Sequence, residues 1–197
     1  MAGQRFNSGQ VSGWGTNAAT RPRTSRPSFG GTYQINTRHN SVMTMTLDRL
    51  YLIPVEFIPD YGYTEVGINV TTVGGTGRVV RIGIYECGPE NVPGNLIIDA
   101  GTVSVETTGL KIATFSAPKI PAAIGFIGAV MQGGSGASCA INSANNNSTV
   151  SATGLHSSNS EAQGGWGVDS ISGALPSSLA SSTFANIGHP NPVMVYR

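Results

Sequence analysis

The chain has 197 residues, 27 of them Gly and 11 Pro, and 11% are charged, against roughly 25% in ordinary soluble domains. That length suits one domain, or one domain plus an arm, with enough chain for a real core. Lys111 and Lys119 are the only lysines and the net charge is +1, which excludes a Lys- and Glu-dense helical enzyme surface and a charge-driven disordered chain.

Residues 1–47 hold five arginines and no acid, whereas residues 48–197 hold six bases and ten acids, so +5 faces −4. A basic arm on a mildly acidic body is the organisation this predicts, with residues 1–47 as extended arm and lead-in and 48–197 as the folded unit. Residues 1–32 are rich in Gly, Ser, Thr, Asn, Arg and Pro, and Arg21-Pro22-Arg23 and Arg26-Pro27 impose extended or turn geometry. Such an arm is either disordered or orders on a partner. Docking is the expectation, because Trp14 and Phe29 are side chains that anchor interfaces. Arg5, Phe6, Trp14, Arg21, Arg23, Arg26 and Phe29 are the candidate anchoring residues.

From Tyr33 the period becomes two. Leu50 to Ile58 is apolar around Pro54, as in an edge or bulged strand. Thr64 to Val73 places Val66, Ile68 and Val70 on one face, and Arg78 to Glu86 places Val80, Ile82 and Ile84 on one face. With Gly74-Gly75-Thr76-Gly77 between them, the two runs read as a hairpin. Leu96 to Ile98, Thr102 to Thr107, Leu110 to Phe115 and Ile124 to Gln132 continue the series. Short alternating strands with frequent turns predict an all-β sandwich or barrel. In residues 133–165, Ser, Gly, Asn, Ala and Thr make up 26 of 33, which predicts a long polar loop or a set of weak strands. Val193 to Tyr196 is expected to close the chain as a last strand.

Chemistry-bearing patterns are sparse. His39, His156 and His189 have no metal-ligand spacing, so no metal and no cofactor is expected. No Gly-x-Ser-x-Gly elbow occurs. Asp60 and Glu65 would serve a glycosidase only at the right separation. The Gly74–Gly77 segment lacks the Lys and the strand–helix setting of a phosphate loop. Sequons at Asn69, Asn146 and Asn147 read as chance. Cys87 and Cys139 read as small apolar residues, with a disulfide as the alternative. No secretory signal pattern is visible, so synthesis in a cytoplasm is expected. The longest apolar stretch, Ile120 to Met131, contains Pro121, Gly125 and Gly128 and falls short of the about 20 residues of a membrane span. Nucleic-acid binding through five scattered arginines would be weak and salt-sensitive.

Several segments carry a resemblance: Val79 to Tyr85, Pro93 to Val103, Thr108 to Lys111, Ala129 to Gln132, and Leu175-Pro176 through Pro192 to Arg197. Over about half the chain they resemble a module of tailed-bacteriophage virion proteins. The resemblance implies a jelly-roll-like antiparallel β-sandwich with an extended N-terminal arm, found in tail fibres, receptor-binding appendages and capsid decorations. It also implies a homotrimer, other virion proteins as partners, a host surface glycan as a further partner, and no catalytic residues. Outward contacts are expected at Asn145, Asn146, Asn147 and Trp166, since amides and an exposed Trp hold sugars, while Trp166 equally reads as a core residue. The alternatives are a capsid decoration protein with the same fold and, more remotely, a cellular carbohydrate-binding module or glycan hydrolase.

Overall fold

The computed structural model describes residues 34–35, 41–57, 62–89, 92–116, 120, 124–144, 165–187, 191–192 and 194–196. Among these there is no helix, and thirteen strands form two antiparallel sheets. The strands are β1 (Gln34–Ile35), β2 (Ser41–Thr44), β3 (Leu50–Glu56), β4 (Glu65–Thr72), β5 (Val79–Cys87), β6 (Pro93–Ser104) and β7 (Gly109–Thr114). They continue as β8 (Ile124–Gln132), β9 (Ala140–Ala144), β10 (Gly165–Val168), β11 (Ala185–Ile187), β12 (Asn191–Pro192) and β13 (Met194–Tyr196).

The first sheet has β2, β9, β4 and β7 as successive neighbours. The second runs β6, β5, β8, β3, then β10 and β11. From β2 to β10 the chain crosses from sheet to sheet at every connection but β5–β6, and the pair of four-strand orders is that of a jelly roll. The expected sandwich is the observed one. Gly74 to Gly77 does not close a hairpin, however: β4 and β5 lie in opposite sheets, and each sends its alternating apolar face into the space between them. Period-two alternation reports which face is buried, and two strands facing one another across a core share it with two strands side by side.

The main core fills that space. Val66, Ile68 and Val70 of β4 meet Tyr51, Ile53 and Val55 of β3 and Val80, Ile82 and Ile84 of β5, with Met43, Met45, Ile127 and Ile141. Since Met43 and Met45 are buried in it, the sandwich starts before residue 48. Pro54 sits on β3 beyond the stretch that β10 covers, Leu50 to Leu52, so its missing N–H falls on an edge as expected. The polar stretch 133–165 contains a central strand, β9, with Ile141 and Ser143 buried. The C-terminal strand is also present. Where β4 and β9 part, β12 pairs with Ser143 and Ala144 while β13 pairs with Val66 to Ile68, so the chain end is inserted into the first sheet. On its other side β13 pairs with β1.

The connections 45–49, 73–78, 105–108 and 133–139 meet at one end of the sandwich. Gly74 N–H donates to Val105 O (2.9 Å), Gly75 N–H to Ala137 O (2.8 Å), Ser135 N–H to Thr76 O (3.0 Å) and Met45 N–H to Cys139 O (2.9 Å). Any side chain at Gly75 would run into the Ser135 carbonyl, its Cβ falling 1.8 Å from the oxygen. Gly133, Gly134 and Gly136 all have positive φ, which only glycine adopts freely.

Candidate functional site

The outer face of the second sheet carries a second apolar cluster. Leu50 and Leu52 of β3, Tyr85 of β5, and Phe126 and Val130 of β8 point away from the main core and are buried under Leu175 and Leu179. Residues 169–184 thus fold back over this face. Gly83 makes room for them, since a Cβ there would fall 2.4 Å from Leu175 Cδ1. Polar anchors fix the segment: Tyr85 Oη donates to Pro176 O (3.2 Å), Gln132 Nε2 to Ile171 O (2.7 Å) and Gly173 O (2.8 Å), and Leu96 N–H to Ser177 O (3.0 Å). Burial, and secondarily the charge of Asp99, pushes the Tyr85 phenol well above its ordinary range, so Tyr85 serves as a neutral donor.

Trp166 belongs to this layer. It stands opposite Leu52 in the β10–β3 pairing and packs on Phe184, ring centroids 5.7 Å apart. Its ring is half-buried, and the indole Nε1 is buried with no hydrogen-bond partner among the described residues. The indole N–H is therefore not offered to a sugar. Asn145, Asn146 and Asn147 lie outside the described residues, as do Arg5, Phe6, Trp14, Arg21, Arg23, Arg26 and Phe29. So do Asp60 and the three histidines; Glu65 lies on β4. Asn69, the first sequon, lies within β4, opposite Leu110.

The loop end holds a residue that sequence reasoning missed. Arg78 is buried, and its guanidinium donates to the carbonyls of Gly133 and Gly136, the latter at 3.1 Å. It fastens the 133–136 loop to the start of β5. The signal in the sequence was an arginine directly after a glycine turn and ahead of an apolar strand. Near it, Glu106 accepts from Gly77 N–H at 2.5 Å.

The described residues offer no activated nucleophile among the thiols. No disulfide joins Cys87 and Cys139, and burial raises both thiols, Cys139 to about 11. No group of three or more His, Cys, Asp or Glu that could hold a metal ion is gathered among the described residues, and they contain no helix long and apolar enough to cross a membrane. Arg81 and Asp99 form a two-point ion pair on the outer face, with Nη2–Oδ2 at 2.6 Å and Nε–Oδ2 at 3.0 Å, and this hydrogen bond raises the Arg81 pKa further. No protein-family model matches the chain, and no curated protein matches its sequence.

Proposed function

We propose that the chain is a non-enzymatic structural protein of a tailed-bacteriophage virion. Its basic N-terminal segment anchors it to other virion proteins, and its jelly-roll sandwich projects as a tail fibre or receptor-binding appendage. The supporting observation is the partition of the molecule. Residues 1–47, with +5 and no acid, lead into a jelly roll whose remainder, residues 48–197, carries −4, and the jelly roll is locked at one end by interleaved glycine loops. A sandwich so poor in charge suits close packing about a symmetry axis, in keeping with a homotrimer, and a host surface glycan is the proposed outward ligand. Short length favours a second reading, in which the same fold decorates and cements the capsid lattice.

Deleting residues 1–31 removes the proposed anchor and leaves β1. The truncated protein is expected to stay folded and to stop joining particles; a truncated protein that still incorporates contradicts the anchor. Electron microscopy of particles with a labelled antibody separates the two positions. Label on the tail or on thin projections supports the appendage, label spread over the head supports decoration, and absence of label contradicts both.

A further inference from the structure

The two sheets treat their outer faces differently. The second sheet covers its own with residues 169–184. On the first sheet, the registers of β2, β9, β4 and β7 put Val42, Thr44, Asn142, Asn69, Leu110 and Ile112 on the outward side. Val42 stands opposite Asn142 and Asn69 opposite Leu110, and each pair lies one residue from Val70–Ile141, where β4 meets β9, so the four form a row across the sheet. Neither apolar cluster includes Val42, Leu110 or Ile112. Val42 is 51% exposed and Leu110 46%. Among the described side chains of these four strands, Glu65 is the one ionisable group on this side, and it stands at the margin, at the start of β4. Ile112 leans over Gly67, which flattens the surface between β4 and β7.

We infer that this outward face of β2, β9, β4 and β7 is the surface through which two copies of the chain meet. A single antiparallel sheet with one face in water ordinarily carries charged and polar side chains there. This face carries the polar ones as amides and threonines, but no charge away from its margin, and adds the apolar Val42, Leu110 and Ile112. Charge decides the occupant. The basic residues ahead of β2, Arg5, Arg21, Arg23, Arg26 and Arg38 with no acid among them, would meet one marginal carboxylate here and little to pair with. A second copy of the same face brings Glu65 as its one like charge, at the margin, so closed symmetry repeats the groups about the axis without repulsion at the centre. Two such faces pack sheet on sheet at about 10 Å, with Val42 and Leu110 side chains interleaved. Such a same-face pairing is twofold, so it predicts a dimer in place of the homotrimer of the virion reading, and it stands whether or not the protein belongs to a particle.

Sedimentation velocity on the full chain tests it, using V42K/L110K and, as control, T102K on the edge strand β6. Both lysines replace exposed residues, and circular dichroism and the thermal midpoint check that each variant folds. The wild type and T102K are expected at a multiple of the 20.3 kDa chain mass, and V42K/L110K at one chain mass with its fold intact. A monomeric wild type at tens of micromolar overturns the proposal. So does an oligomer that V42K/L110K leaves intact, including one that only deletion of residues 1–31 dissolves. Particle incorporation is measured separately, so failure of the interface and failure of the virion reading give different results.

Discussion

The outer faces of the two sheets differ, for one is a second core and the other is open among the described residues. In β3 both parities are apolar: Tyr51, Ile53 and Val55 face the main core while Leu50 and Leu52 face outward into the second cluster. In β4 only one parity is apolar: Val66, Ile68 and Val70 face inward, and Glu65, Gly67 and Asn69 alternate with them. A strand buried on both sides reads as a continuous apolar run, and a strand buried on one side reads as alternation. The difference shows that the 169–184 segment is part of the fold's stability and no mere connection.

The comparison can be broken by mutation. Phe126→Ala empties the centre of the second cluster and is expected to cost about 3–5 kcal/mol in urea unfolding, as removal of a buried Phe does. A loss below about 1 kcal/mol would mean that the outer layer is loosely held. Arg78→Met removes two donations to carbonyls at the loop end, which both sheets share, and is expected to cost about 1–3 kcal/mol. Hydrogen exchange should then speed up at Gly75 and Ser135, whose amides join the same loops, and not in residues 169–184.

Cys139 adds a pH signature to the shared core. Its thiol ionises at about 11 in the folded chain, against a usual 9.0, so the unfolded chain sheds this proton first. The stability from keeping it neutral is complete below pH 9 and is lost as pH rises from there toward 11, on the order of 2 kcal/mol. Cys139→Ala should flatten that part of the alkaline limb; an unchanged slope would assign the limb to other groups, Tyr85 first. The smallest effect is expected at the open face. Leu110→Ala should change the stability of the dilute monomer by no more than about 0.5 kcal/mol, and a loss near that of Phe126→Ala would show that the face is covered within the chain.

Much of the sandwich was legible in the sequence, because Val66-x-Ile68-x-Val70 and Val80-x-Ile82-x-Ile84 carry the period of half-buried strands. The sheet to which each strand belongs was not, since alternation is blind to whether a partner lies beside a strand or across the core. Strand β9 was foreseen only as one of a set of weak strands, the alternative to a long polar loop, because Ala140 to Ala144 is short and Ile141 is its one large apolar side chain. Trp166 was singled out for its ring, but its place follows from Phe184 and the 169–184 return, which no local pattern announces. The open face was illegible for a related reason: Val42, Asn142, Asn69 and Leu110 come from four separate strands and become one row only through register.

Hydroxyl-radical footprinting of the full chain, read residue by residue at low and high protein concentration, tests the contrast between the faces most directly. Leu52, Phe126 and Leu175 should be protected at both concentrations. Val42 and Leu110 should be labelled in dilute protein and protected in concentrated protein. Labelling of Phe126 and Leu175 to the level of Leu110, or labelling of Val42 and Leu110 that does not change with concentration, would contradict it.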